Sequence, residues 1–176
     1  MIITLTTDFG LRDGNVGVMK GVISGIAQDV HIIDLSHQIS PQNIIEGAFV
    51  LGRSAPYFPA GCIHIGVVDP GVGTQRRPIA ALLGSQYYVG PDNGLMSVML
   101  ARAERKSLPV EIYHTDKIEF WLPGVSNVFH GRDIFSSVGA HLARGIPLEM
   151  LGSRIYDPVR LELPQPVREG EVWHGR

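Results

Sequence analysis

Apolar positions follow two rhythms along this chain. Short apolar runs bounded by turn residues alternate with longer stretches in which Ile, Leu, Val, Met and Phe recur every three to four residues. The first rhythm marks strands and the second amphipathic helices. Strands are predicted over 2–7, 31–35, 62–69, 78–83, 86–89 and 110–114. Helices are predicted over 16–27, 43–53, 95–103 and 132–144, the last stopped by Gly145 and Pro147. Loops fall at 11–15 and 123–129, and Pro91-Asp92-Asn93-Gly94 is a turn signal. Gly17, Gly21 and Gly25 lie four apart on the first helix, where they weaken its propensity and permit close approach of a neighbour. Alternation of this kind predicts an α/β fold, a central mostly parallel sheet with helices on both faces.

From Pro158 the pattern changes. Leu161, Leu163 and Pro164-Gln165-Pro166 read as an extended connection. Residues 170–176 then begin a strand-like alternation and stop, as though cut.

Length and composition narrow the classes. A chain of 176 residues buries a sizeable core as one domain, and 18% charged with 44% apolar residues fits a compact protein. A net charge of −2 argues against nucleic acid as a partner. The lone Cys62 sits in an apolar strand and reads as a small core residue. No apolar run is long enough to span a bilayer, and Asp8 comes too early for a signal peptide, so a soluble, cytoplasmic chain is expected.

The chain is organised around 66–77. Its apolar strand ends at Asp69 and opens into Pro70, Gly71, Gly73, Arg76 and Arg77. Strands that open into glycine-rich, charged loops are where α/β proteins place sites, although a tight turn with a surface ion pair uses the same residues. Asp8, His37, Asp69 and Asp92 each follow a predicted strand, and His130 and Arg132 precede the last helix. The strand ends share one edge of an open sheet, so these groups can face one crevice. Arg132 and Asp133 can equally pair or cap that helix. Dinucleotide, P-loop, nucleophile-elbow, Cys-x-x-Cys and His-Glu-x-x-His signatures are absent. A metal-dependent hydrolase built on Asp8, His37 and Asp69 is conceivable, but no compact ligand spacing supports it.

Four stretches together carry a resemblance: 6–10 (Thr-Thr-Asp-Phe-Gly), 68–77 (Val-Asp-Pro-Gly-Val-Gly-Thr-Gln-Arg-Arg), 91–94 (Pro-Asp-Asn-Gly) and 129–135 (Phe-His-Gly-Arg-Asp-Ile-Phe). In this order the chain resembles the S-adenosyl-L-methionine hydroxide adenosyltransferases, relatives of the fluorinase and chlorinase. The resemblance implies hydrolysis of S-adenosyl-L-methionine to adenosine and L-methionine by an activated water at ribose C5′, with no cofactor and no metal. It implies Asp69, Arg76 and His130 as the catalytic set, and Asp8, with Phe9, Asp92 and Asn93, as substrate-binding residues. Arg77 is expected at a surface or subunit contact. The halogenating relatives lack the Asp-Arg-His set, and the fluorinase has Ser where this chain has Gly131. The resemblance also implies a homotrimer and a second, β-rich domain. Residues 1–160 are then the catalytic domain, and 161–176 the linker and first strand of a truncated second one. Binding of S-adenosyl-L-methionine or adenosine without turnover is the alternative if that domain is essential.

Overall fold

The computed structural model describes residues 1–163 and 167–174. A seven-stranded sheet holds strands in the order β2-β1-β3-β5-β4-β6-β7. In chain order the elements are β1 (Ile2–Thr7), α1 (Asn15–Ile26), β2 (His31–Ser36), α2 (Ile44–Ser54), β3 (Ile63–Val67), β4 (Pro78–Leu83), β5 (Gln86–Pro91), α3 (Ser97–Arg105) and β6 (Val110–His114). A π-helical turn (Gly131–Ser136) runs into α4 (Ser137–Ala143), and β7 (Ser153–Arg154) closes the sheet. β8 (Val167–Glu169) and β9 (Val172–His174) form a separate antiparallel hairpin.

The β2-β1-β3-β5 half is parallel, and β4, β6 and β7 add antiparallel pairs. The expected mostly parallel α/β sheet is therefore found at its centre. Strand side chains alternate between two cores. Ile3, Leu5, Ile63, Ile65 and Ala80 pack with Met19 and Ile23 of α1 and Val138 of α4. Ile79, Ala81 and Tyr88 face the other way, against Leu51 of α2 and Met99 and Leu100 of α3. Helices thus cover both faces, as a period of two along the strands requires.

Local chemistry explains the boundaries. Asn43 caps α2 by accepting the Glu46 backbone N–H at 3.0 Å. Gly145 ends the last helix in a left-handed conformation, φ 88°. The predicted helix over 132–144 differs at its start, where six residues take π geometry. Ser136 Oγ donates to the Gly131 carbonyl at 2.7 Å across that turn. Gly17, Gly21 and Gly25 meet nothing within 4 Å of an added Cβ, so no close neighbour within the described residues explains them. Cys62 is buried, as expected. His64 is also buried, bonded to Thr4 Oγ1 at 2.7 Å, and burial pulls its pKa down to about 4. It is a neutral core residue. The expected connection through Pro164, Gln165 and Pro166, and the chain end at Gly175 and Arg176, lie outside the described residues. No helix among the described residues is long and apolar enough to cross a membrane.

Candidate active site

β1 connects through α1 to β2 on one side, and β3 then lies on the other side of β1. The connections diverge between β1 and β3, and a crevice opens beyond their carboxyl ends. A cleft of about 490 Å³ lies there. Asp8 and Phe9 enter it after β1, Val67, Asp69 and Val72 after β3, and Val128 to Gly131 from the start of the π turn.

The loop after β3 brings three charged or titratable groups into line. Thr74 Oγ1 donates to the Gly71 carbonyl at 2.7 Å and curls the loop back. Gly73, at φ 77°, lies so close to the Asn127 carbonyl that a Cβ would stand 2.3 Å from it. That approach docks the loop against the 123–130 segment and brings Arg76 to His130. Arg76 Nε donates to both Asp69 oxygens, at 3.0 and 2.9 Å, and Nη2 to Asp69 Oδ2 as well. Nη2 also lies 2.7 Å from His130 Nδ1. A guanidinium only donates, so His130 Nδ1 accepts and its proton sits on Nε2. Burial, and then the Arg76 charge, hold the His130 imidazole below its ordinary range, against the opposing pull of Asp69 and Asp133. His130 is therefore neutral at pH 7. The Arg76 side chain is 9% exposed, and its Nη1 is a buried donor without a hydrogen-bond partner among the described residues.

His130 is held from behind. Asp133 accepts from the Ser126 amide and hydroxyl, both at 2.8 Å, and from Arg132, which pins the 123–129 loop to the π turn. Arg132 and Asp133 thus pair, one of the two roles expected for them. Gly131 lies under the aromatic wall, where a Cβ would stand 3.2 Å from the Phe129 ring and 3.4 Å from that of Phe9. Those two rings meet edge to face at 5.7 Å.

Asp8 is anchored through one oxygen. Its Oδ2 accepts the Gln42 backbone N–H at 2.8 Å, and Gln42 adopts φ 62°, rare for a residue with a side chain. Oδ1 accepts no hydrogen bond among the described residues and is available to the cleft.

Other sequence candidates lie elsewhere. His37 is buried, with Nδ1 2.8 Å from Thr7 Oγ1 and Nε2 3.1 Å from Asp34 in an ion-pair approach without hydrogen-bond alignment. It does not line the cleft. No three metal-binding side chains converge among the described residues, so the set Asp8, His37 and Asp69 is not assembled. Asp92 is occupied by Arg77 through Oδ2, at 2.6 and 2.9 Å, and by the Val159 amide through Oδ1 at 2.8 Å. Asn93 donates to the Val68 carbonyl at 2.8 Å and accepts from Leu95 N at 3.2 Å. Neither lines the cleft. Arg77, expected at a surface or subunit contact, is partly exposed and pairs with the buried Asp92 on one side and the exposed Asp157 on the other. Asn15, Gln42, Val72, Val128 and Phe129 line the cleft without having been singled out. Val72 and Phe129 carried a signal, their places in the 68–77 and 129–135 motifs.

The sequence matches the SAM hydroxide adenosyltransferase N-terminal domain over residues 3–152. The chain belongs to this family. It is 41% identical over 171 residues to an (R)-S-adenosyl-L-methionine hydrolase of Salinispora arenicola, covering 97% of this chain and 64% of that one. A crystal structure of an uncharacterized conserved protein from Thermotoga maritima superposes with a TM-score of 0.89 at 40% identity, covering 97% of this chain and 64% of that one. More distant relatives include a fluorinase of Actinopolyspora mzabensis, 28% identical over 189 residues, covering 93% of this chain and 62% of that one. The chain thus spans about 64% of the length of the first curated relative it matches.

Proposed function

We propose that this chain carries the reacting cleft of an S-adenosyl-L-methionine hydrolase that forms adenosine and L-methionine. One observation supports the reading above the rest. Arg76 bridges Asp69 and His130, and both of those side chains line the cleft. A water or hydroxide oxygen held there meets the carboxylate and the imidazole, with the cation between them.

The reaction is an in-line displacement at ribose C5′. A C–O bond forms as the C–S bond breaks, and the sulfur keeps the electron pair and loses its charge as methionine leaves. The leaving group needs no acid, so catalysis rests on the nucleophile and its alignment. Asp69 fixes the guanidinium, and Arg76, permanently cationic, stabilises negative charge on the attacking oxygen. The water proton goes to His130 Nδ1, whose lone pair is freed as the Arg76 Nη2 hydrogen bond passes from the ring to the developing hydroxide. Asp69 stays the counter-charge that holds Arg76, and Arg76, a donor only, has nowhere to take a proton. The depressed pKa of His130 favours onward release of that proton to solvent. The free Oδ1 of Asp8 accepts from the ribose hydroxyls, and the Phe9–Phe129 wall excludes water from one side. Asp92 and Asn93, occupied by the protein itself, are left out of the substrate-binding set. No cofactor enters this scheme. The working assembly that accompanies it is a cytoplasmic homotrimer, with 1–160 as catalytic domain and 161–176 leading into a further β domain. The family resemblance supports that assembly, and sedimentation tests it.

The experiment is incubation with S-adenosyl-L-methionine, without halide or added metal, with adenosine and methionine followed by chromatography. Equimolar products from the parent and none from His130→Ala support the scheme. The chain's share of its relatives' length favours one other reading, binding without turnover. Ligand-dependent thermal stabilisation with no adenosine identifies it.

A further inference from the structure

Arg77 takes no part in the scheme above, yet it is bonded more completely than a surface arginine needs to be. Arg76 and Arg77 are consecutive, and their side chains diverge to the acids that follow neighbouring strands, Asp69 after β3 and Asp92 after β5. The Asp92 amide also donates to the Arg77 carbonyl at 2.9 Å. From outside, Asp157 receives Arg77 through its carboxylate and through its carbonyl, both at 2.9 Å. Residues 157–161 are then tied down as a strap. The Val159 amide bonds Asp92 at 2.8 Å, and the Leu161 amide bonds Ser97 Oγ at 2.9 Å. Leu161 packs on Gly94, where a Cβ would stand 2.7 Å from it, and Arg160 pairs with Glu104.

We propose that Arg77 is a positioning residue for the reaction: its fork on Asp92 and Asp157 holds the Arg76 backbone where the Arg76 guanidinium reaches His130, and so couples the 157–161 strap to the cleft. The guanidinium fork suits this task because one rigid planar group presents donors to two acids at fixed angles, whereas an ammonium is a point charge on a flexible stem. Only the consequence for turnover rests on the hydrolase reading.

The test is titration of the His130 ring by NMR in the intact chain, assigned by difference against His130→Gln. The charged groups around this ring are Arg76 and Asp69 on the loop, Asp133 and Arg132 on the π turn, and Asp8 across the cleft. In Arg77→Met the Arg76 backbone is no longer held, so the guanidinium, still gripped by Asp69, moves off His130 Nδ1 and its cationic influence on the ring weakens, while Asp69 and Asp133 remain. The His130 midpoint therefore rises, by roughly half a pH unit or more for a charge withdrawn from contact. Arg160→Met cuts the strap at Glu104 and leaves the His130 midpoint where it was, whatever it does to melting. Arg77→Lys gives an intermediate shift. Asp157→Asn, which disturbs only the exposed side of the fork, gives a smaller shift of the same sign and serves if Arg77→Met does not fold. In turnover, kcat for Arg77→Met falls by about tenfold or more with little change in KM, because Asp8 and the aromatic wall are untouched. An unmoved His130 midpoint in the folded Arg77 and Asp157 variants overturns the proposal and leaves the strap as a stability device. A midpoint that moves in a protein that makes no adenosine retains the positioning role and discards the hydrolase reading instead.

Discussion

Two acid–arginine pairs stand on neighbouring strand ends, and the sequence presents them as near duplicates. Asp69 with Arg76 and Asp92 with Arg77 both join a strand end to the same loop. Their surroundings differ in one respect. Both Asp92 oxygens accept, and all three guanidinium nitrogens of Arg77 donate, to Asp92 or to Asp157. Arg76 is saturated toward Asp69 but keeps Nη1 unbonded and touches a neutral imidazole. A satisfied network contributes structure, whereas one that ends on a titratable ring lining a cleft can meet a ligand. The difference between the pairs lies in the remaining hydrogen-bonding capacity of each, not in its residue types.

Four measurements press on that contrast. The largest effect belongs to the open side. His130→Ala lowers adenosine formation by about 10²–10⁴-fold while melting changes little, the range for loss of a positioned acid–base group. A variant within threefold of the parent would remove His130 from the scheme. Next, Asp92→Ala costs about 2 kcal/mol in denaturant unfolding. That is below the usual cost of breaking a fully buried pair, because the Arg77 side chain is 29% exposed and can turn to water. If Asp92→Ala leaves unfolding unchanged yet abolishes adenosine formation, the two pairs have exchanged roles.

The pH response separates the pairs further. His130 is held below its ordinary 6.5 by burial first and by Arg76 second. Its neutral form therefore persists through pH 7, and the rate falls tenfold per pH unit only below the lowered midpoint. Folding stability follows the same sign. The unfolded chain binds the proton more tightly, so stability declines as pH drops below 6.5 toward the folded midpoint. The strap side behaves otherwise. Arg77 holds the Asp157 carboxyl below 3.8, so this ion pair is present above that pH and is lost only as pH falls beneath it. A rate that rises as pH drops from 7 to 5 would contradict the neutral assignment of His130. The smallest effect is at Arg160, an exposed partner of Glu104. Arg160→Ala changes stability by no more than about 1 kcal/mol, weakened further by salt.

Much of this architecture was legible in the chain. The strand over 110–114 is found with those bounds, and the Asn43 cap fixes α2 to within a residue of its predicted start. Such signals are local, since a side chain three residues from an amide reports its own geometry. The π turn was not legible, because 131–136 carries an ordinary helical apolar pattern. Its widened turn coincides with the Ser136 bond to the Gly131 carbonyl and the anchoring of Asp133 by the 123–129 loop. Gln42 gave no warning either. Glutamine is not a usual left-handed residue, and it takes that conformation where its amide holds Asp8. His37 was drawn into the candidate site by its place after a strand, but Thr7 and Asp34 turn it away.

The sequence alone determined the alternation of strands and helices, the acids at the strand ends and the family motifs, because periodicity and turn chemistry act over a few residues. It also contained both arginines, of which the family resemblance singles out Arg76. Tertiary structure decided what each of them is bonded to. Docking of Gly73 on Asn127 brings Arg76 to a histidine 54 residues away, and return of the chain at Asp157 claims Arg77 across 80 residues. Hydrogen-bonding capacity is used up by whatever the fold brings near. Separations of that size are set by how the whole sheet closes, not by any local pattern.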